Sequence, residues 1–322
     1  MSRHSNTLRA RSPGKLNLTF DILGDLPGGY HEVETLMQTI DLADELTFTF
    51  EPAEEFLVEI TSVEFAGPTG DVPLNQNNLI AKAAYLFRKK FPEKSDCKVS
   101  VHLRKAVPVA GGMGGGSGNA AATLVALNQW FNSPLSDSKI AEMASQLGAD
   151  VPFFLNGGTQ VGRHRGDVLS KVDLPNELHF LIVGPKLFGL QTAEVYGAYD
   201  ENKINGTTTI SATECAEALK TGDNKNASIK FGNVFEHIVF SRRPELQFIR
   251  NRLSELGGLC THMTGSGPTL YVFTTDKTEA ECIQQKLVNE QKNAINGWNN
   301  HRDLVLNTWI ATSTKHGVTL IA

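Results

Sequence analysis

Apolar and polar residues alternate near the start of the chain, where Leu16, Leu18, Phe20 and Ile22 interleave with Lys15, Asn17, Thr19 and Asp21. A period of two predicts a half-buried strand with Lys15 and Asn17 on its polar face. Leu26-Pro27-Gly28-Gly29 reads as a turn, and a second extended stretch follows over residues 30–40. Residues 46–50 and 57–60 alternate again, so the chain opens as a run of antiparallel strands. The spacing then becomes helical: Ile80, Ala83, Ala84, Phe87 and Phe91 follow Asn78, a suitable N-cap, and Pro92 ends the run. Val99, Val101 and Leu103 restore a strand, a glycine-rich loop follows, and residues 120–131 form an apolar helix. Ser136 or Asp137 caps another helix with Ile140, Met143, Ala144 and Leu147, closed by Gly148.

The second half mixes strands at 178–183, 269–274 and 304–311 with helices at 244–256 and 278–289, and residues 203–209 and 221–226 read as polar loops. Strands and helices without regular βαβ alternation predict an α+β fold. We place a division in the 155–175 region, giving parts 1–165 and 166–322.

Composition narrows the function classes. A chain of 322 residues, 40% of them hydrophobic, can fill one large core or two smaller ones. A net charge of -5 argues against a general nucleic-acid binder, and no stretch approaches the roughly 18 apolar residues of a membrane helix. The 4 cysteines contain no CxxC, which argues against a disulfide scaffold or zinc ribbon and makes a reducing cytoplasm the simplest setting. Cys260 and His262 stand close, with too few neighbouring ligands for zinc. The basic start (Arg3, His4, Ser5, Arg9, Arg11) lacks the apolar core of a secretory signal and is expected to be a short disordered lead. No protein partner is expected.

Candidate chemistry concentrates in Pro108-Val109-Ala110-Gly111-Gly112-Met113-Gly114-Gly115-Gly116-Ser117-Gly118-Asn119-Ala120-Ala121. Ordering 6 glycines has an entropic cost, which close approach of bare backbone to a ligand would offset. The helix that follows offers unpaired N–H groups and a positive dipole end, with no acidic residue in its first turns, so the segment predicts a phosphate site. The alternative is a flexible loop without a ligand. A Walker A loop is excluded because no Gly-Lys-Ser/Thr occurs here. Gly116-Ser117-Gly118-Asn119-Ala120-Ala121 satisfies a dinucleotide fingerprint nominally, but a long loop precedes the helix and another helix follows it. What remains is a glycine loop with no lysine of its own, neutralised by Mg²⁺ and a distant cation.

This loop resembles the phosphate loop of the GHMP small-molecule kinases, in particular the branch acting on 4-diphosphocytidyl-2-C-methyl-D-erythritol. Other segments are similar to that branch in the same order: Pro13-Gly14-Lys15-Leu16-Asn17-Leu18, then Gly29-Tyr30-His31-Glu32 with Thr35-Leu36, then Leu147-Gly148-Ala149-Asp150-Val151-Pro152-Phe153-Phe154, and last Thr264-Gly265-Ser266-Gly267-Pro268. The resemblance implies a two-part fold, with a ribosomal-S5-like ATP-binding domain and a ferredoxin-like C-terminal domain. It implies ATP and Mg²⁺ as cofactors and a cytidine diphosphate substrate.

The resemblance also carries residue roles. Locally, Asp150 reads equally well as a turn aspartate, though Val151-Pro152 favours an extended backbone and the apolar run after it anchors the carboxylate beside the core. An isolated strand lysine such as Lys15 is ordinarily a surface residue. By resemblance, Asp150 accepts the proton of the substrate hydroxyl and Lys15 faces it. Tyr30 and His31 could equally pack a hairpin; by resemblance they bind the cytosine, with Asn17 near the methylerythritol, Thr192 near the substrate, and Asn78 and Leu79 near the adenine. Two departures stand out. Gly118 replaces the branch's second serine, leaving Ser117 or water to assist Mg²⁺, and Gly28-Gly29 replaces Asp-Gly. A GHMP kinase for another small alcohol and a silent nucleotide-binding protein are the rival readings; keeping both Lys15 and Asp150 disfavours the second.

Overall fold

The alternating opening segment forms β1 (Thr7–Leu26), and the turn at 27–29 returns it as β2 (Tyr30–Pro52). The computed structural model describes residues 6–67, 69–92, 96–186, 191–201, 210–301 and 304–321. The expected disordered lead is corrected in part: Arg9 and Arg11 lie inside β1, paired with Thr47 and Glu45 of β2, because Ala10 between them is fully buried. Arg3, His4 and Ser5 lie outside the described residues.

β3 (Leu57–Phe65), α1 (Leu79–Lys90) and β4 (Cys97–Lys105) follow, with the Asn78 side chain capping α1 at the amide of Ile80. Next come α2 (Gly115–Trp130), α3 (Asp137–Leu147), α4 (Val151–Asn156), β5 (Thr159–Arg163) and β6 (Val168–Val172). Ser136 caps α3 as expected. Strands β1 to β6 belong to one sheet, in which β4 lies between β2 and β3 and β5 joins β2 to β6. Helices α1 to α4 cover this sheet over a core that includes Phe48, Phe87, Val101, Leu124 and Phe153.

The chain continues through β7 (His179–Pro185), α5 (Thr192–Glu201), α6 (Ala212–Lys220), α7 (Asn224–Ser228), β8 (Gly232–Asn233), α8 (Glu236–Arg242) and α9 (Pro244–Leu256). It ends with β9 (Cys260–Met263), β10 (Leu270–Thr274), α10 (Lys277–Lys292), β11 (Leu306–Thr312) and β12 (Thr319–Ile321). β7, β9, β10 and β11 make a second, antiparallel sheet in the order β11-β7-β10-β9, the split βαββαβ pattern of a ferredoxin-like unit. The fold is α+β. Of the two polar loops expected here, 203–209 lies outside the described residues, and 221–226 runs into α7 because the Asp223 side chain caps the amide of Asn226.

The second half also returns to the first sheet. β8 pairs parallel with β1 at Thr19 and Phe20, and β12 pairs with β1 at Arg9, Ala10 and Arg11. Between the sheets, Leu16, Leu18, Leu36 and Ile40 meet Phe180, Ile182 and Tyr271. β1 is therefore covered on both faces, which corrects the half-buried expectation: Lys15 is 3% and Asn17 2% exposed. Their polar row lies beneath two loops, and the candidate chemistry is there.

Candidate active site

The glycine segment links the end of β4 to α2. The helix begins at Gly115 rather than Ala120, so part of the expected loop is the first turn of a helix. Gly114 is its N-cap with φ 68, no side chain caps it, and no acidic residue stands in its first turn. Its leading N–H groups and dipole are left for an anion. Bare backbone is a steric requirement here. A Cβ on Gly112 would collide with the Thr264 carbonyl oxygen, and one on Gly114 would lie 2.7 Å from the Phe154 ring.

A cavity of about 400 Å³ opens over this turn. Pro108, Gly111, Gly112, Met113, Gly114, Gly115, Gly116 and Ser117 line it, as do Asn78, Leu79, Asp150 and Thr192. Gly118 is the exception among the residues expected to hold phosphate. A Cβ there would stand 2.5 Å from Ser12 Oγ and 3.2 Å from the Pro13 carbonyl, so position 118 packs α2 against β1. The hydroxyl missing at this position would not have faced the phosphates.

The loop has no lysine of its own, as expected, but the last residue of β4 supplies one beside it. Lys105 lines the cavity, 5% exposed, with Nζ 2.9 Å from where a Gly115 Cβ would be. Its ammonium donates to Asp44 Oδ2 at 2.7 Å and to the Val107 carbonyl. Asp44, fully buried, also accepts from the Asn119 side chain at 3.0 Å and from the amides of Ala106 and Val107, each at 2.8 Å. Burial lowers the Lys105 pKa, and Asp44 opposes that shift. Strand parity carried the signal: Val99, Val101 and Leu103 point inward, and Lys105 continues that row.

On the other flank, the Lys15 backbone N–H donates to the Met113 carbonyl at 3.0 Å. Lys15 Nζ lies 3.8 Å from Asp150 Oδ2, ion-pair range rather than a hydrogen bond, and donates to Asn17 Oδ1. Burial lowers the Lys15 pKa, with Asp150 opposing it. Asn17 donates its amide to Thr35 Oγ1 at 2.8 Å and its backbone N–H to Thr264 Oγ1 at 3.0 Å. It braces Lys15 from outside the cavity lining.

Asp150 occupies the N-cap of α4, yet its carboxylate caps no N–H. The turn-aspartate alternative therefore fails on geometry. Val151-Pro152 is helical, not extended, because a proline in the first turn gives up an N–H that has no helical partner. Val151, Phe153 and Phe154 are fully buried and fix the backbone, while the carboxylate is 39% exposed.

Tyr30 and His31, at the β1–β2 hairpin, lie outside the cavity lining. Tyr30 is 53% exposed, with the Arg165 guanidinium 4.8 Å from its ring centre. His31 Nε2 is 2.8 Å from Asp200 Oδ1, and its ring packs on Tyr196 and Tyr199 of α5 at 5.0 and 6.1 Å. With Asp25 they form the one group of metal-ligand spacing among the described residues, which the His31–Asp200 hydrogen bond already explains. Tyr196 was not singled out in the sequence; its spacing of four from Thr192 puts both on one face of α5. Thr192 Oγ1 bonds Ser266 Oγ at 3.0 Å beside the cavity. With Thr192 at the cavity and Tyr196 against His31, α5 runs from the cavity to the hairpin, and burial, with the charge of Asp150, raises the Tyr196 pKa.

Comparison with known proteins identifies the family. Residues 78–158 match the family described as GHMP kinases N terminal domain, and residues 215–294 match GHMP kinases C terminal. A 4-diphosphocytidyl-2-C-methyl-D-erythritol kinase of Pelotomaculum thermopropionicum is 38% identical over 276 residues, covering 86% of this chain and 92% of the relative. One from Bacillus cytotoxicus is 36% identical over 266 residues, covering 82% and 87%. The crystal structure of a 4-(cytidine 5'-diphospho)-2C-methyl-D-erythritol kinase superposes with a TM-score of 0.69 at 27% identity, over 95% of this chain and 98% of that one. The chain belongs to the GHMP kinases and, within them, to the family of the 4-diphosphocytidyl-2-C-methyl-D-erythritol kinases.

Proposed function

We propose that this chain transfers the γ-phosphoryl group of ATP to the 2-hydroxyl of 4-diphosphocytidyl-2-C-methyl-D-erythritol, a step of the non-mevalonate route to isoprenoid precursors. The observation that carries the reading is the Lys15–Asp150 pair, 3.8 Å apart, with Asp150 in the lining of the cavity over the α2 N-terminus. The glycine loop and first turn of α2 bind the triphosphate. Asp150 orients the hydroxyl and takes its proton as the oxygen bonds to the γ-phosphorus and the bond to the bridging oxygen of ADP breaks. Lys15 holds Asp150 and offsets charge on the transferring group, which suits a loose transition state dominated by positioning and electrostatics.

Mg²⁺ fits as an ion carried by the nucleotide. The cavity offers the Ser117 hydroxyl and the Asp150 carboxylate, oxygen donors of the kind this ion takes alongside phosphate. When bound, Mg²⁺ neutralises phosphate charge. Asn78 and Leu79 border the adenine. The substrate extends along α5 from Thr192 to the hairpin, where Tyr30, His31 and Tyr196 read the cytosine by stacking and hydrogen bonding. Asn17 fixes the Lys15 ammonium near the methylerythritol. We read residues 1–165 as the ATP-binding part and 166–322 as the C-terminal part, working in the cytoplasm. No helix among the described residues is long and apolar enough to cross a membrane.

A coupled assay of ADP release with Mg²⁺ tests the reading. The cytidine substrate is expected to give a kcat/KM well above those of mevalonate, homoserine and galactose. Preference for any of these three would overturn the substrate assignment.

A further inference from the structure

The turn at residues 264–268, between β9 and β10, covers Lys15 and Asn17 and reaches the glycine loop. The Thr264 hydroxyl, fully buried, accepts from the Asn17 backbone N–H at 3.0 Å. Gly265, at φ 55, lays bare backbone over the ammonium: a Cβ there would stand 3.4 Å from Lys15 Nζ and 3.2 Å from Asn17 Oδ1. The Thr264 carbonyl fills the space where a Gly112 Cβ would be. Ser266 bonds Thr192 beside the cavity at 3.0 Å. One turn therefore touches the cation, its brace, the phosphate loop and the start of α5.

The side chain that holds this turn lies outside the nucleotide cavity. Asn233 of β8 is 5% exposed and commits every polar atom of its amide. Nδ2 donates to the Met263 carbonyl at 2.8 Å and to the Gly265 carbonyl at 2.7 Å, the acceptors on either side of Thr264. Oδ1 accepts from the Phe235 backbone N–H at 3.0 Å. Glu236 also holds Met263, through its N–H at 2.7 Å, whereas among the described residues Asn233 alone bonds the Gly265 carbonyl. Asn233 itself pairs with Phe20 of β1, so the strand that carries Lys15 also carries the clamp on the turn above it.

We propose that Asn233 is a positioning residue for Lys15, setting through the Gly265 backbone where the ammonium stands relative to Asp150. Its kinetic consequence rests on the kinase reading above; its effect on the ammonium does not. With the turn pinned, Lys15 is 3% exposed and Asp150 of α4 is the charged group it faces. The 264–268 turn and the glycine loop bring no charge, and Thr39, opposite Lys15 on β2, is neutral. Without the clamp the turn lifts, water reaches Nζ, and the ammonium leaves its place beside the transferring group. A misplacement of about 1 Å from a change remote from the chemistry costs about a hundredfold in rate.

The test makes Asn233→Leu and Asn233→Ser in the full chain. Leucine matches the size and removes the donors; serine is smaller and keeps an acceptor for the Phe235 N–H, so its variant folds where the leucine one fails. Leu287→Ala, a truncation in the core under α10, is the control for lost stability alone. Two readouts are taken: NMR titration of the Lys15 side chain, identified by its loss in Lys15→Arg, and steady-state kinetics with ATP, Mg²⁺ and the cytidine substrate. Both Asn233 variants are expected to lower kcat by about ten- to a hundredfold, with KM for the cytidine substrate within about threefold. The Lys15 pKa, lowered by burial in the parent, moves back up toward 10.5 as water reaches it. Leu287→Ala loses stability and moves neither readout. Parental kcat in a folded Asn233 variant, a Lys15 titration that stays in place, or the same shift in Leu287→Ala overturns the proposal. A parent chain that does not phosphorylate the cytidine substrate overturns the kinase reading instead, and the titration then decides the role of Asn233 by itself.

Discussion

The two flanks of the glycine loop use the same pair of residue types, a buried lysine and an aspartate, to different ends. On the β4 side, Lys105 and Asp44 are 2.7 Å apart, Asp44 is fully enclosed, and three further N–H groups satisfy its carboxylate. On the β1 side, Lys15 is as deeply buried, but Asp150 stands 3.8 Å away with 39% of its side chain open. A closed pair with every acceptor filled fixes geometry and has nothing left for a substrate. An open pair keeps lone pairs for an incoming hydroxyl and a cation whose field extends to it. One flank therefore holds the loop in place, and the other is available for chemistry.

The comparison predicts variants that separate turnover from stability. Asp150→Asn should lower kcat by about a hundred- to ten-thousand-fold, with ATP affinity and melting temperature almost unchanged. Near-normal kcat in steady-state assays would remove Asp150 from the mechanism and erase the distinction between the flanks. Asp44→Ala should act in the other direction, leaving the Lys105 ammonium buried without its partner and destabilising the chain by about 3–5 kcal/mol in denaturant unfolding. A stability near that of the parent would show that the closed pair is dispensable. At the hairpin, Tyr196→Ala should raise KM for the cytidine substrate about tenfold, with KM for ATP steady.

A pH profile sharpens the same contrast. Burial lowers the Lys15 pKa from 10.5, so kcat/KM should fall as pH rises through that lowered value, placing the alkaline limb below 10.5. Folding has the opposite sign: between the lowered folded value and the unfolded one, the unfolded chain binds the extra proton, and stability rises with pH. An alkaline limb at or above the ordinary lysine value would contradict the buried placement. A smaller effect is expected of Gly118→Ser, whose Cβ must displace Ser12 and press on the Pro13 carbonyl: stability in denaturant unfolding should fall by about 1–3 kcal/mol, and parental stability would show that α2 and β1 are not tightly packed there.

Much of this site was legible from local pattern, and the remainder depended on contacts distant in sequence. Asn78, Ser136 and the helices after them follow from capping and spacing that the chain writes within a few residues. The phosphate turn was visible because glycines before an apolar helix have few other uses, though the helix start was misplaced by five residues since glycine weakens any helical signal. Lys105 was missed: its strand parity was readable, but Asp44 lies 61 residues away in sequence, and only folding brings the two together. The burial of Lys15 likewise depends on residues 264–268 packing on the loop. Tyr196 gave no signal of its own, since aromatics on a short helix, here Tyr196 and Tyr199, read as packing.

The pairing of β12 with β1 has a consequence for synthesis. Residues 9–11 leave the ribosome some three hundred residues ahead of their neighbours at 319–321. That edge stays open for the whole interval, with exposed peptide groups able to recruit another nascent strand. A slow-translating or chaperone-poor host should therefore yield more aggregate than its unfolding free energy suggests.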